Sequence, residues 1–205
     1  MSIERAAPRP RPQQERSQQT YELLLNVAGE LLAEVGIDRI STNMICARAG
    51  MTPPALYRYF DDKYAVLEAL GGRLMARQNA VLDAWLARYE PGGVASLKGN
   101  IEELLRDTAA VTASEPGAVW ILRALHASPR LVHVRVASHR LVTDRLTDAY
   151  LRHLPGVDRD QLWRRLRISV EIGFAVDEML QEEERVSADL AFRNAARMLQ
   201  ADLED

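Results

Sequence analysis

A single cysteine, Cys46, stands in 205 residues, so no internal disulfide can brace this chain, and a cytoplasmic protein is the expectation. Long apolar runs are missing as well. Nothing approaches the run of about eighteen that a membrane helix needs, so no span and no membrane partner is expected. The N-terminus, MSIERAAPRPRPQQERSQ, has positive charge with no apolar block behind it and does not read as a secretory signal. An excess of basic charge is lacking: 26 Lys and Arg stand against 29 Asp and Glu, for a net charge of −3. There are eight basic and eight acidic residues through Lys63, then eighteen against twenty-one. No basic domain announces a nucleic-acid partner, and any case for DNA must rest on where residues sit. The four histidines, His126, His133, His139 and His153, never fall three or four apart, so a helical metal site is not expected. No nucleophile with its base and no Gly-rich phosphate loop is visible, which argues against an enzyme and leaves no cofactor implied. Strand-like alternation between turn signals and repeats of fixed period are absent too.

What is present is helix. An apolar fraction of 47% with 27% charged residues belongs to a soluble globular protein, long enough for one substantial core with a small module attached. From Arg16 to Val35 the apolar positions Tyr21, Leu24, Leu25, Ala28, Leu31, Leu32 and Val35 recur at three and four, and Gly36 closes the helix. A long pattern then runs from about Lys63 to Tyr89 and ends at Pro91-Gly92-Gly93. Further helices are expected at roughly 95–113, 117–127, 130–153, 159–184 and 187–203, each opened or closed by Pro, Gly or Ser. The fold class is all-α. Gly71-Gly72 lies inside the long helix, where the pair either breaks it or marks a bend. The Pro- and Gln-rich segment 1–15 is expected to be a disordered tail.

Between Ile37 and Lys63 the helices are too short for a bundle. Thr42 is placed to cap a helix over Asn43–Ala49, with Ile45, Cys46 and Ala49 inward and Gly50 ending it. Thr52 caps the next helix, with Pro53 and Pro54 at its first two positions, where the missing N–H groups cost nothing. Two helices of about seven residues joined by a short Gly-containing turn are the helix-turn-helix pattern. Leu56 and Phe60 then face the core and leave Pro53, Pro54, Ala55, Tyr57, Arg58 and Tyr59 toward solvent. The alternative is that both tyrosines lie on neighbouring helices with only their hydroxyls wet.

The order Thr42, Ile45, Ala49-Gly50-Met51-Thr52, Leu56-Tyr57, Tyr59-Phe60, Lys63, Leu67 resembles the DNA-binding signature of the TetR family of transcriptional regulators. The match covers roughly residues 16–70. Cys46 stands where that family commonly has Ala, and Pro54 where it commonly has Gly. The resemblance implies a helix-turn-helix DNA-binding domain at 16–62 and a larger helical domain at 63–205 for ligand binding and dimerisation. It implies phosphate contacts from Thr42, Tyr57, Tyr59 and Lys63, with the lysine at a helix N-terminus that also favours anions. It puts Asn43, Thr52, Pro53 and Ala55 near base edges. Pro53, Pro54 and Ala55 suit thymine methyls, and Asn43 suits adenine N6 and N7. Arg48 and Arg58 remain as guanine or phosphate contacts, or as solvated arginines.

The same resemblance implies a repressor released from an inverted-repeat operator in double-stranded DNA by a small organic effector, acting as a homodimer through about 159–203. The effector pocket is expected among Met75, Trp85, Tyr89, Trp120, His126, Trp163 and Phe174, each of which also suits a plain core. Glu171, inside the apolar run ISVEIGFAV, either pairs with Arg167 or faces a cationic or hydroxylated effector. The alternative function is a constitutive regulator, or a redox-responsive one working through Cys46, without an organic ligand.

Overall fold

The computed structural model of the chain describes residues 12–201, and all the regular structure among them is helical. The first eleven residues of the expected tail lie outside the described residues, whereas Pro12–Glu15 already belong to the first helix, α1 (Pro12–Arg39). Gly36 interrupts α1 with φ 73, a left-handed backbone that a β-carbon would strain, and one placed there would also meet the Trp120 ring at 3.1 Å. The last turn of α1 is thereby redirected toward α2 (Thr42–Ala49).

The cap of α2 is Ser41, one residue before the expected Thr42: its hydroxyl accepts from the Met44 N–H at 3.3 Å. Gly50, at φ 65, ends the helix as a left-handed C-cap. The helix that follows, α3 (Pro53–Leu56), is one turn rather than about seven residues long. It opens on its two prolines after Thr52, whose side chain makes no capping bond. Tight turn bonds carry the chain on to Phe60, with Tyr59 N–H and Phe60 N–H both donating to the Leu56 carbonyl.

The long α4 (Lys63–Tyr89) is capped by Asp62, which accepts from the Ala65 N–H at 2.9 Å, and it runs unbroken through Gly71-Gly72. Gly71 leaves room for α7 (Ala118–Ala127): a β-carbon there would lie 2.8 Å from Leu125. Beyond α4 come a single 3-10 turn at Glu90–Gly92, α5 (Gly93–Gly99) and α6 (Ile101–Ser114). The helix expected at 95–113 is thus divided at Asn100. Its side chain donates to the Ser96 carbonyl at 2.8 Å, and its own carbonyl accepts from Trp85 Nε1 at 2.9 Å. After α7 follow α8 (Val132–Leu151), α9 (Arg159–Leu180) and α10 (Ala188–Ala201). α9 stops four residues short of 184, because Glu182, Glu183 and Glu184 would set three negative charges on the negative end of its dipole. Residues 202 and 203, the expected end of the last helix, lie outside the described residues.

Two buried clusters organise these helices. The first joins α1, α2, α3 and the start of α4 to Ile121, Leu122 and Leu125 of α7, so the small N-terminal module shares its core with the helices behind it. The second is built by Leu82, Trp85 and Leu86 of α4 with Leu97 of α5, Val142, Leu146 and Tyr150 of α8, and Leu162, Leu166 and Val170 of α9. Polar ties reinforce the junction. Glu115, buried at the end of α6, accepts from both Arg73 and Arg77 of α4. Arg130, in the α7–α8 turn, pairs with Asp62 at 2.8 Å and lies over the Tyr64 ring at 4.4 Å.

Candidate nucleic-acid interface and ligand cavity

Burial of Leu56 and Phe60 sets the orientation of α3, leaving Pro53, Pro54, Tyr57 and Arg58 exposed. Asn43 is exposed on α2, and neither it nor Arg58 has a side-chain hydrogen bond among the described residues. Tyr57 reaches back so that its hydroxyl lies 3.3 Å from Thr42 Oγ1, which gathers two hydroxyls near the start of α2. Tyr59 divides the expectation for the two tyrosines. It is half-buried, 6.4 Å from the Tyr21 ring, and its hydroxyl accepts from Ser17 at 3.4 Å. Thr52 is exposed and Ala55 half-buried beside these residues.

Two basic side chains are already engaged. Arg48 makes a two-point bond to Glu34 of α1, at 2.9 and 2.7 Å, and this bond holds the Glu34 carboxyl below its ordinary range. A guanidinium so occupied is turned toward α1, so the solvated reading of Arg48 fits better than guanine recognition. Lys63 donates to the Ile37 carbonyl at 3.2 Å, which uses one of its three protons and leaves two for a phosphate. Asp62, next to it, is held below the carboxylate range chiefly by the Ala65 N–H and then by Arg130.

Behind this module lies a cavity of about 90 Å³ lined by α4, α6, α8 and α9, with Leu199 from α10. Its wall is almost wholly apolar. Trp85, Leu104, Leu146 and Leu166 represent the lining, and Tyr150, whose phenol burial pushes above its ordinary pKa, contributes from α8. The polar groups collect at one end. Gln78 is the lining residue of α4 nearest the N-terminus of that helix, and Asp177 the lining residue of α9 nearest its C-terminus. Thr112 of α6 bridges them: Gln78 Nε2 donates to Thr112 Oγ1 at 2.9 Å, and Thr112 Oγ1 donates to Asp177 Oδ2 at 2.7 Å. Burial pushes the Asp177 carboxyl up, against the lowering effect of Thr112 and Gln181.

Among known proteins, residues 24–70 match the family described as bacterial regulatory proteins, tetR family. This is a TetR-family helix-turn-helix domain. A 56-residue segment is 38% identical to the tetracycline repressor protein class A from transposon 1721 of Escherichia coli, covering 27% of this chain and 26% of that protein. A longer segment, 125 residues, is 31% identical to the nucleoid occlusion factor SlmA of Glaesserella parasuis, covering 60% of this chain and 58% of that protein. The matches therefore span about a quarter of the repressor's length and less than two thirds of the occlusion factor's. Over whole chains the fold is that of a TetR-family transcriptional regulator from Streptomyces coelicolor, with a TM-score of 0.65 and 24% identity, covering 90% of this chain and 97% of that one. Salmonella enterica GusR is similar to the same extent, with a TM-score of 0.65, 18% identity, and 91% and 96% of the two chains covered.

Behind the TetR-family domain, two of the eight residues expected at an effector site, Trp85 and Phe174, line the cavity. Met75 is buried in the cluster shared with the TetR-family domain, and Trp120 packs on Gly36 with Arg123 over its ring at 4.9 Å. Tyr89 donates to Glu103 at 2.6 Å and Trp163 to Asp144 at 2.7 Å, both away from the cavity. His126 is exposed, 3.4 Å from Glu178. Glu171 takes the ion-pair reading, with Arg167 at 2.5 Å, Arg135 at 3.4 Å and His139 Nδ1 at 2.9 Å. Burial works to raise that carboxyl, yet the hydrogen bonds from His139 and Arg167 hold it below its usual value. His139 is itself pushed down by burial, against the raising effect of Glu171, and its ring stacks on Phe174 at 4.0 Å. Gln78, Thr112 and Asp177 were missed. Each occupies an apolar stripe at helical spacing, Leu74-Gln78-Leu82 on α4 and Leu166-Val170-Asp177 on α9 among them, and that placement was the available signal.

Proposed function

We propose that the chain is a DNA-binding transcriptional regulator, a repressor that holds an inverted-repeat operator as a homodimer and releases it when a small organic effector fills the cavity. The observation that carries the reading is an exposed set of reading residues, Asn43, Pro53, Pro54, Tyr57 and Arg58, of which Asn43 and Arg58 have no side-chain hydrogen bond among the described residues, presented on a TetR-family domain whose core is shared with α7. Thr42, Tyr57, Tyr59 and Lys63 take the phosphates, and Asn43, Thr52, Pro53 and Ala55 lie at the bases. α9 and α10 form the subunit seam. Ile168, Ile172 and Met179 make an exposed stripe on α9, opposite the face that lines the cavity, and Leu190 and Met198 are exposed on α10. The repressor function of the E. coli relative is consistent with this reading but belongs to a protein matched over a quarter of its length.

Selection of bound sequences from random DNA tests it. The expected outcome is a palindrome whose half-sites lie one helical turn apart, roughly 34–36 Å, or a multiple of that. Enrichment of no sequence, with DNA affinity insensitive to salt, would overturn it.

A further inference from the structure

At its polar end the cavity has a surplus of acceptors. Gln78 and Asp177 are each 3% exposed, and both line the cavity. Thr112 has one proton, which it gives to Asp177 Oδ2, while it receives one from Gln78 Nε2. Gln78 Oε1 and Asp177 Oδ1 are then left buried with no donor in hydrogen-bonding geometry, although the Gln181 side chain is near enough to Asp177 to lower its carboxyl. No Lys, Arg or His side chain pairs with Asp177 among the described residues, although every other acidic group in this region has one: Glu115 has Arg73 and Arg77, Glu171 has Arg167, and Glu178 has His126. A buried acceptor without a donor is costly, and a buried carboxylate without a cation more so. A donor of positive charge would satisfy both acceptors and favour the ionised carboxylate that burial alone disfavours, and the remaining wall dictates an otherwise apolar body.

We propose that the cavity takes a compact organic cation, an alkyl or cycloalkyl ammonium, with its N–H groups on Asp177 Oδ1 and Gln78 Oε1 and its hydrocarbon against Leu82, Trp85, Leu146 and Leu166. This rests on the reading of the cavity as the effector site and names the class of effector. Two donors of one ammonium satisfy both orphaned acceptors, and the carboxylate supplies the countercharge that an apolar site otherwise denies a cation. An organic acid would add a second carboxylate to an acceptor-rich end and is excluded. A pure hydrocarbon would leave both acceptors unsatisfied. Size follows from the volume: about 90 Å³ is smaller than the roughly 150 Å³ apolar cavity that accommodates benzene in an engineered protein, so the body is a short chain or a single small ring.

The test is titration of the full chain with isobutylammonium, isobutanol, isopentane and isovalerate near neutral pH, followed by tryptophan fluorescence and thermal shift. The ammonium is expected to bind at least tenfold more tightly than the alcohol and hydrocarbon, and the carboxylate not at all. Asp177→Asn is expected to remove at least tenfold of the ammonium affinity while leaving that for isopentane within threefold. Gln78→Met, a change that keeps volume, should weaken ammonium binding by a smaller factor. Equal binding of hydrocarbon and ammonium, binding of the carboxylate, or unchanged ammonium affinity in Asp177→Asn would overturn the proposal. Operator affinity is measured separately with and without saturating ammonium. Ammonium binding that depends on Asp177 but leaves operator affinity unchanged sustains the ligand class and defeats the effector reading. Operator release by another compound, with no preference for ammonium, does the reverse.

Discussion

Lys63 and Asn43 lie within one small module but would read DNA by different physics. Lys63 sits at the N-terminus of α4 with one donor held by the Ile37 carbonyl, and its remaining donors suit a phosphate, which carries no sequence information. Lys63→Ala should weaken binding to all sequences alike and lower the slope of log affinity against log salt by about one. Asn43, exposed and without an internal partner, should instead contribute at one base pair, so Asn43→Ala is expected to cost about 1–3 kcal/mol there and relax preference at that position. Binding-site selection on both variants checks the division of roles, and equal changes in the selected sequence would refute it. Asp177 gives a prediction of another kind. Its folded pKa is raised above 3.8, so ionisation is disfavoured in the fold. The penalty is absent at pH below 3.8, where the group is neutral in both states, grows as pH rises toward the folded value, and stays constant above it. Asp177→Asn should therefore melt at a higher temperature than the parent at neutral pH, by a margin that shrinks toward pH 4. Burial raises Glu178 beside it, and the Asp177 charge adds to that rise, so the substitution relieves the neighbour in the same direction. A margin independent of pH would assign the effect to amide contacts instead of charge.

Among the elements, α4 carries the most meaning, since it begins at the DNA-facing module and ends in the wall of the cavity. Its two glycines separate cleanly. A methyl group on Gly71 meets Leu125 of α7 at 2.8 Å, and Leu125 is fully buried and has nowhere to retreat. Gly72 faces open space. Gly72→Ala should thus stabilise the protein by about 0.5–1 kcal/mol through helix propensity and a less flexible unfolded chain, while Gly71→Ala should lose stability despite the same propensity gain. Thermal or denaturant unfolding of the two variants decides it, and similar gains for both would mean that the close α4–α7 approach does not matter. The same helix shows what was legible beforehand. Its end was readable because the Pro91-Gly92-Gly93 run is a local signal, as were Gly50 and Pro53-Pro54 in the helix-turn-helix, and its start at Lys63 was readable from the apolar pattern. The lining of the cavity was not readable, because periodicity tells which stripe of a helix is buried but not which neighbour it meets. Met75 and Trp120 were rightly apolar-face residues, yet they pack against the N-terminal module. Gln78, Thr112 and Asp177 come together only when three helices distant in sequence are assembled.

For the whole molecule, the absence of a separate core for the N-terminal module is the consequential fact. The module is packed on α7, tied at Asp62 by Arg130, and braced by Arg73 and Arg77 on Glu115, the residue that ends α6, three residues beyond the Thr112 that supports the polar end of the cavity. A ligand pulling on Gln78 and Asp177 would thus act on α4 and, through Thr112, on α6, the two helices joined at Glu115. Displacement there has a short route to the position of α2 and α3. Any such displacement would matter to DNA only if two modules are held at a set distance, which makes the seam the condition for the rest.

The seam is argued from what is left uncovered. Of the nine large apolar side chains exposed among the described residues, five lie on α9 and α10, led by Ile168 at 64% and Met198 at 68%. Ile168, Ile172 and Met179 recur at four and seven along one face of a helix whose other face is occupied by Leu162, Leu166, Val170 and Asp177. Such a stripe matches the demand of a two-fold contact, in which the same patch serves both partners. Ile168→Glu should then bury two uncompensated charges per dimer, each costing roughly 3–5 kcal/mol, and raise the dimer dissociation constant by more than about a thousandfold. Sedimentation at micromolar concentration is expected to move from dimer to monomer, with helical content unchanged because the inner face of α9 is intact. The monomer should retain the cavity, whose lining comes from one chain, and should bind a palindromic operator far more weakly than the parent. A variant that remains dimeric would place the seam on another surface, and a parent chain that is monomeric at that concentration while binding DNA fully would remove the two-fold arrangement altogether.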